Sequence, residues 1–258
     1  NGMLATPSDM GATSCSSTAL AGGAKLRQYQ IESLEFLTRR GRAILADEMG
    51  LGKTVVALLA GQRLFPKGRV LIVAPKIALL TWQREIRKWL GEEAVVLTGQ
   101  PSRRAALLQE FLEGKRGRFL ITNYDLLKRD PIPRNWHLII ADEAHVLRNR
   151  RGGFNELKRF YSQGFFALTG TPVVKAEYDL WPLLHLCNPK AFPSFWAFIY
   201  QHFHVIKDQF GTHIETLKNR EAFKALLRQY LIRHTKKEVL HELPPKIRQV
   251  LPVEMTGK

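Results

Sequence analysis

Cysteines, acidic residues and long apolar runs are all scarce in this chain of 258 residues. Cys15 and Cys187 are its two cysteines, and neither has a partner at metal-ligand spacing. Two such thiols give no disulfide framework, which favours an intracellular protein with reduced thiols. No apolar run reaches the roughly 20 residues that span a bilayer, and the N-terminus lacks a basic start followed by an apolar core. The sequence therefore predicts no membrane-spanning helix and no signal peptide.

Acidic residues are outnumbered by basic ones. There are 23 Asp and Glu against 39 Lys and Arg, which leaves a formal charge of +16. Hydrophobic residues make up 45% of the chain, as is ordinary for a globular protein. Such a basic balance predicts a polyanionic partner, with nucleic acid ahead of an anionic membrane because no basic amphipathic anchor helix is present. A merely soluble basic surface is the alternative.

A glycine-rich segment between a predicted strand and a predicted helix is the first chemical landmark. Apolar residues 43–46 lead into DEMGLGKT at residues 47–54, and residues 55–60 continue with a helical pattern. The backbone N–H groups of such a turn, together with the dipole of the following helix, favour an anion. Residues 47–54 are therefore predicted to be a phosphate loop.

Individual residues of the phosphate loop suit a nucleotide. Gly50 and Gly52 can bring the backbone close to an anion. Lys53 can reach the β- and γ-phosphates, and the Thr54 hydroxyl can hold Mg²⁺. Asp47 stands where the general pattern G-x-x-x-x-G-K-[ST] has its first glycine. By pattern alone, an ordinary strand–turn–helix with an exposed lysine is the alternative.

Short apolar runs alternate with helical patterns along most of the chain. The predicted strands cover residues 43–46, 69–75, 94–98, 119–123, 138–141 and 165–168, and the predicted helices 25–37, 55–60, 79–90 and 103–112. This alternation indicates βαβ units, and so an α/β fold with a central, mainly parallel sheet flanked by helices. Trp82, Ile86 and Trp89 share the apolar stripe of the third helix and are predicted to be core.

Two carboxylates follow the predicted strand 138–141. Ligands of parallel sheets gather at the carboxyl ends of the strands, so Asp142 and Glu143 are expected near the phosphate loop. Asp142 can hold Mg²⁺ through water. Glu143 can orient or deprotonate an attacking water. A solvated acidic loop is the alternative.

Three more polar positions have candidate roles. Thr169 and Thr171 follow the strand 165–168 and are placed to sense the γ-phosphate, with a plain turn as the alternative. Gln30, on the helix before the phosphate loop, carries an amide that can donate to and accept from the edge of adenine at once. Capping or solvating a helix is its bland alternative.

Both ends of the chain and its last third carry no chemical constellation. Residues 1–24 are small and polar and are predicted to be a flexible leader or the remnant of a removed segment. From Glu177 onward, helices are predicted over residues 178–186, 195–203 and 220–231, and the histidines there lack ligand spacing. A stiff hinge is predicted at residues 243–246 and the start of another strand at 248–255.

Together these motifs resemble the first RecA-like lobe of superfamily-two ATPases, specifically the Swi/Snf-type DNA translocases. The matching stretches appear in the family's order at residues 26–30, 47–54, 71–75 with Trp82 and Glu85, 122–125, 142–145, 168–172 and 242–246. In this family the phosphate loop itself begins with Asp, as it does here at Asp47. The resemblance implies a P-loop NTPase lobe with a helical protrusion in its C-terminal third.

The resemblance also implies cofactors, partners and residue roles. ATP and Mg²⁺ are the implied cofactors, and duplex DNA, bound through its phosphate backbone, is the implied partner. The implied roles are catalysis by Lys53, Asp142 and Glu143; nucleotide binding by Gln30, Gly50, Leu51, Gly52, Lys53 and Thr54; Mg²⁺ binding by Thr54 and Asp142; coupling by Thr169, Gly170 and Thr171; and DNA contact by Lys76, Thr122, Asn123 and Tyr124.

The same resemblance divides the chain and marks one departure. It implies an ATP-binding lobe over residues 25–175, a helical protrusion and return over 176–240, and an inter-lobe linker with the start of a truncated second lobe over 241–258. Without that lobe, weak ATP binding and poor hydrolysis are expected, because the second lobe of the family supplies arginine fingers. The family often shows two adjacent arginines where this chain has Arg233 and His234.

Two other functions stay open. A DEAH-type RNA helicase shares residues 142–145, but the phosphate loop and residues 168–172 fit it less well. A non-catalytic nucleic-acid-binding module is the other, although Lys53 and Glu143 argue against it. Basic clusters at residues 115–118, 128–129 and 148–151 are candidates for a face that follows phosphates. The expected location is intracellular and DNA-associated, either nuclear or in a bacterial or archaeal cytoplasm.

Overall fold

The computed structural model describes residues 25–150, 152–172, 176–209 and 211–239. The described strands are β1 Arg42–Leu45, β2 Val70–Val73, β3 Ala94–Val96, β4 Phe119–Thr122, β5 Asn135–Ala141, β6 Tyr161–Leu168, β7 Phe203–Asp208, β8 Gly211–Leu217 and β9 Leu231–Ile232. The described helices are α1 Gln28–Arg40, α2 Lys53–Leu64, α3 Leu79–Leu90, α4 Pro101–Leu112, α5 Leu126–Arg129, α6 Gly153–Leu157, α7 Trp181–Cys187, α8 Phe195–His202 and α9 Arg220–Leu227. The predicted leader, hinge and final strand lie outside the described residues.

A parallel sheet of seven strands is the centre of the molecule, in the order β3-β4-β2-β5-β6-β1-β9. Every residue of β2 and β4 is buried, as expected of strands covered on both faces. Ile44 of β1 packs in one hydrophobic cluster, while its neighbours Ala43 and Leu45 pack in the other. The prediction of an α/β fold with a mainly parallel sheet flanked by helices is confirmed.

Helix α3 shows how sequence pattern becomes packing. Leu79, Trp82 and Ile86 lie on one face and are buried, while Arg87 and Lys88 on the other face are exposed. The helix ends at Gly91, whose φ of 66° is the left-handed value typical of a helix C-cap. Trp82 is therefore core, as predicted.

The C-terminal third differs from the all-helical prediction. Strands β7 and β8 form an antiparallel hairpin, and Val205, Ile214 and Leu217 turn their side chains toward the main hydrophobic cluster. Only Phe203 and Val205 of β7 show the period of two typical of a strand, and the aromatic residues before them suggested a longer helix. The helix predicted over residues 220–231 ends at Leu227, and Leu231–Ile232 joins the main sheet beside β1. None of the described helices has the length and apolarity to cross a membrane.

Arg42, the first residue of β1, joins three elements. Its Nε donates to the carbonyl of Cys187 at 2.9 Å and its Nη2 to the carbonyl of Leu186 at 2.7 Å, while its Nη1 donates to the carbonyl of Ser162 in β6. The first two carbonyls belong to the last turn of α7, where no partner exists within a helix. Burial lowers the pKa of the guanidinium.

Candidate active site

A cavity of roughly 520 Å³ opens where β1 and β5 end. It is lined by residues that the sequence singled out from three separate stretches: Gln30, Gly50, Gly52, Lys53, Thr54, Asp142 and Glu143. The carboxyl ends of parallel strands meet at one edge of a sheet, and this is why segments about 90 residues apart share one space. These predicted residues are therefore brought together.

The phosphate loop takes a conformation that its glycines permit. Gly50 has a φ of 86° and Gly52 a φ of 82°, both in the left-handed region. Helix α2 begins directly after Gly52, at Lys53. A Cβ atom added to Gly52 would lie 2.5 Å from Nε2 of Gln30. The backbone angle thus favours glycine at residue 52, and any larger residue would also have to displace the amide of Gln30.

Gln30 is tied to the phosphate loop through its amide. Its Nε2 donates to the carbonyl of Leu51 at 3.1 Å, and its Oε1 accepts from the backbone N–H of Arg27 at 3.0 Å. This is a contact that sequence reasoning missed, because an amide facing a loop carbonyl has no sequence pattern of its own. Gln30 lines the cavity as expected, and its role toward adenine stays a prediction.

Lys53 lies over the carbonyl groups of its own loop. Its Nζ donates to the carbonyl of Asp47 at 2.9 Å and to that of Glu48 at 3.4 Å. Burial lowers the pKa of the ammonium, and the neighbouring carboxylates, Glu143 foremost, oppose that shift. The ammonium of Lys53, which lines the cavity, therefore rests on the carbonyls of its own loop in this structure.

Hydrogen bonds hold both carboxylate oxygens of Asp142 and its backbone carbonyl. Its Oδ2 accepts from Nε1 of Trp82 at 2.8 Å, and its Oδ1 accepts from the N–H of Glu143 at 3.0 Å. Its backbone carbonyl accepts from the hydroxyl of Tyr124 at 2.6 Å. Trp82 is thus both core and a hydrogen-bond donor to the site. A buried indole N–H needs an acceptor, which is the one signal that pointed there.

Glu143 adopts a backbone conformation that is rare for its residue type. Its φ is 46°, the only positive value for a non-glycine residue in the described ranges. Such angles cost on the order of 1–3 kcal/mol and cluster at functional sites. One carboxylate oxygen, Oε2, lies 3.2 Å from Nδ1 of His145. The side chain of Glu143 is therefore aimed by backbone strain as well as by its neighbours.

The segment predicted to couple the site to other parts of the protein touches the phosphate loop. The N–H of Thr169 donates to the carbonyl of Leu45 at 3.1 Å, and its Oγ1 accepts from the N–H of Thr171 at 3.2 Å. A Cβ atom on Gly170 would lie 2.7 Å from Cγ of Met49 and 3.7 Å from Nζ of Lys53. A side chain at residue 170 would therefore require Met49 to shift and would leave Lys53 in ordinary contact.

The four predicted DNA-contact residues are not equally placed. Lys76 is exposed and lies 3.4 Å from a carboxylate oxygen of Asp125. Thr122 and Asn123 are buried, and the Tyr124 hydroxyl is turned toward Asp142. Burial, with the charges of Asp142 and Glu143 nearby, raises the pKa of Tyr124 well above its ordinary value. Lys76 is thus the exposed residue of the four, and the role of all four toward DNA stays a prediction.

The side chains at the cavity fit Mg²⁺ in the form that accompanies a nucleotide. No group of three or more His, Cys, Asp or Glu is arranged to hold a metal anywhere in the described part of the chain. Mg²⁺ in nucleotide sites uses one or two carboxylates and completes its shell with phosphates and water. The hydroxyl of Thr54 and the carboxylate of Asp142, which line one cavity, match that donor set.

Thr81, Glu85 and Trp89 of α3 also line the cavity. Nε1 of Trp89 donates to Oε2 of Glu85. The apolar stripe of α3 placed Trp89 in the core, whereas it is half-buried at the cavity wall. A helix can satisfy its apolar period and still present one turn to a site, which periodicity alone does not resolve.

Residues 29–258 match the profile of a family described as the SNF2-related domain. Among similar proteins are the protein CHROMATIN REMODELING 5 of Arabidopsis thaliana, 34% identical over 91% of this chain and 14% of that protein, and the human Chromodomain-helicase-DNA-binding protein 7, 33% identical over 97% and 9%. The ISWI chromatin-remodeling complex ATPase ISW1 of Saccharomyces cerevisiae is 33% identical over 90% and 21%. This chain thus spans about a fifth or less of the length of these relatives.

A solved structure supports the same relationship. The Sulfolobus solfataricus SWI2/SNF2 ATPase core in complex with dsDNA superposes with a TM-score of 0.72 at 26% identity. The match covers 89% of this chain and 48% of that ATPase core. The resemblance that the motifs indicated is confirmed by the family profile and by this fold.

Proposed function

Because this chain belongs to the family of SNF2-related domains, we propose that it is the ATP-binding lobe of a DNA-dependent ATPase that moves along duplex DNA. One observation carries the proposal. The phosphate loop, with Lys53 and Thr54, shares a single cavity with the carboxylates of Asp142 and Glu143. Phosphoryl transfer to water needs groups that bind the phosphates and a group that positions the water, held around one space.

The phosphate loop binds the triphosphate. Gly50 and Gly52 allow its backbone N–H groups to approach the phosphate oxygens, and the N-terminus of α2 adds the favourable end of its dipole. Lys53 moves its ammonium from the carbonyls of Asp47 and Glu48 to the β- and γ-phosphates. Thr54 and Asp142 would hold Mg²⁺, which would supply charge neutralisation at the phosphates when bound.

Glu143 acts on the attacking water. Its carboxylate lines the same cavity as Lys53 and accepts the water's proton or fixes its orientation. Hydrogen bonds from Trp82 and Tyr124 hold the neighbouring Asp142 in place. Asp142 therefore serves the metal, and Glu143 serves the attacking water. Thr169, Gly170 and Thr171 report the state of the γ-phosphate, and the space around Gly170 supports this, because a Cβ atom added there would meet Met49 of the phosphate loop.

This chain binds DNA through the phosphates of its backbone, and a second RecA-like lobe forms the other half of the DNA-binding cleft. The charge of +16, the exposed Lys76 and a relative solved with dsDNA support this part of the proposal. Phosphate contacts release counterions, so DNA affinity falls steeply with salt and carries little base preference. The protein is therefore expected to act in the cell compartment that contains this DNA.

ATP hydrolysis by this chain joined to a second lobe tests the proposal. The rate is measured without polymer, with duplex DNA and with single-stranded RNA, and the chain alone is measured beside it. We expect strong stimulation by duplex DNA, little activity of the chain alone, and loss of turnover in Glu143→Gln with ATP binding retained.

Each other outcome points elsewhere. Stimulation by RNA in place of duplex DNA would support the RNA-helicase alternative. If the Glu143→Gln form displaced DNA-bound proteins as well as the unmodified protein does, a non-catalytic module would be supported. If the chain alone turned over ATP at the DNA-stimulated rate, the requirement for a second lobe would be wrong.

A further inference from the structure

The returning strand β9 and the residues after it lie directly against the phosphate loop. The N–H groups of Ile44, Ala46 and Glu48 donate in turn to the carbonyls of Tyr230, Ile232 and His234, at 2.7, 2.8 and 2.9 Å. This ladder continues past the end of β9 into the start of the loop. A segment distant in sequence therefore forms one wall of the loop.

His234 makes the closest side-chain contact across that boundary. Its Nδ1 lies 2.9 Å from Oδ1 of Asp47, and its backbone N–H donates to the same oxygen at 2.8 Å. Its Nε2 lies 3.3 Å from Oε2 of Glu32 on α1. The ring of Tyr29 packs beside it at 5.9 Å between centroids. Each nitrogen of the imidazole thus faces a carboxylate oxygen.

Asp47 connects this contact to the phosphate-binding lysine. Its side chain is fully buried, and its Oδ2 accepts from the hydroxyl of Ser33 at 2.9 Å. Its backbone carbonyl accepts from Nζ of Lys53 at 2.9 Å. A buried carboxylate with a missing donor is costly, so it would pull the loop toward other partners. Holding the carboxylate of Asp47 holds the carbonyl that places Lys53.

We propose that His234 is a positioning residue for the nucleotide, acting through Asp47 to fix the phosphate loop and the starting position of Lys53. The proposal rests on the ATP binding proposed above. It also gives a role to the residue that departs from the two adjacent arginines of the family.

Substitutions at residue 234 separate positioning from simple support of β9. In His234→Leu the ring nitrogens that face Asp47 and Glu32 are lost at similar volume, and we expect the dissociation constant of a fluorescent ATP analogue with Mg²⁺ to rise about tenfold. In His234→Asn an amide N–H stands near the place of Nδ1 and can still donate to Asp47. We expect that form to bind within about threefold of the unmodified chain.

Two more variants complete the test. Ser33→Ala removes the other side-chain donor to Asp47 and should weaken binding severalfold, which keeps the test informative if His234→Leu does not fold. Arg104→Gln breaks the ion pair with Asp130, remote from the loop. It serves as a control for lost stability, with thermal midpoints followed by circular dichroism, and should bind the analogue normally.

Three results would overturn the inference. One is His234→Leu binding within about twofold of the unmodified chain. Another is His234→Asn losing as much affinity as His234→Leu. The third is Arg104→Gln losing as much affinity as His234→Leu at an equal thermal midpoint. If the unmodified chain joined to a second lobe bound no ATP analogue at all, the proposed function itself would fail, and that outcome is distinct from these three.

Discussion

Trp82 illustrates how one residue serves packing and chemistry together. Its ring fills the core beneath α3 and is 1% exposed, while its Nε1 donates to Oδ2 of Asp142. This hydrogen bond uses one lone pair of Oδ2, and the carboxylate keeps its other lone pairs for further partners. The direction in which Asp142 presents itself is therefore set from α3.

Removing this donor should affect the site more than the fold. In Trp82→Phe most of the ring packing stays, and we expect kcat/KM for ATP to fall about tenfold while stability drops by about 1 kcal/mol. Trp136→Phe is the matched control, because its buried indole donates to the carbonyl of Pro133 at 2.7 Å, away from the cavity. Equal loss of ATPase activity in both variants would contradict a specific role for Trp82.

Residue identity was predictable where chemistry demands a residue type at fixed spacing. Lys53, Thr54, Asp142 and Glu143 follow from the phosphate loop and from the strand that ends in two carboxylates. Tyr124 was not predictable in the same way. Whether its hydroxyl faces solvent or the carbonyl of Asp142 depends on the path of the chain after β4, and the pattern of residues does not encode that path.

Among the elements, the turn from β1 to α2 carries the sharpest local requirement. Its two left-handed glycines alternate with Leu51, which is buried and bonded to Gln30. Lys53, as the first residue of α2, is oriented by the helix it starts. The element works as a unit because its backbone angles, its packing and its cation are set together.

Gly52→Ala tests this turn. The left-handed backbone should cost about 1–2 kcal/mol, and the added Cβ would displace the amide of Gln30 as well, so we expect nucleotide binding to fall below detection. Gly91→Ala is the control, with a φ of 66° and nothing within 4 Å of the added atom. It should lose similar stability, as measured by urea unfolding, and leave nucleotide binding unchanged. Retained binding in Gly52→Ala would show that the space at this turn is not required.

Parallel strands buried on both faces were predictable because they appear as continuous apolar runs. The hairpin of β7 and β8 was not, since its half-buried alternation follows a stretch rich in aromatic residues. Strand β9 has two residues, and pairing with β1 defines it rather than any run of its own. Such long-range pairing carries no local signal.

At the scale of the whole molecule, the order of strands decides what meets what. Strands β5, β6 and β1 are neighbours. Asp142, Thr169 and the phosphate loop, which follow these strands, therefore lie together at one edge of the sheet. The alternation of strands and helices predicted that edge, and the resemblance supplied its chemistry. The division into lobe, protrusion and linker stays a prediction, as do the second lobe and the DNA path.

Cys187 reports on the integrity of the whole fold. Burial raises the pKa of its thiol from the ordinary 9.0 to about 12, which cuts the reactive thiolate about a thousandfold at a given pH. In a Cys15→Ser form we expect labelling by a disulfide reagent at about pH 8 to be slow and to follow urea unfolding. The raised pKa also contributes stability that is present below about pH 9 and is lost as pH rises toward about 12. Rapid labelling in native buffer would contradict this burial.

The contacts of Arg42 have a consequence for the order in which the protein folds during synthesis. The ribosome releases β1 long before Leu186 and Cys187, whose carbonyls Arg42 binds. A nascent chain that ends between them holds a cation at the edge of its sheet without those two partners. Helix α7 is too short to be stable alone, and Arg42 supplies the donors that the last-turn carbonyls of Leu186 and Cys187 lack within the helix. The hydrogen bonds between β1 and α7 can therefore form only late in synthesis, after the whole of α7 has left the ribosome.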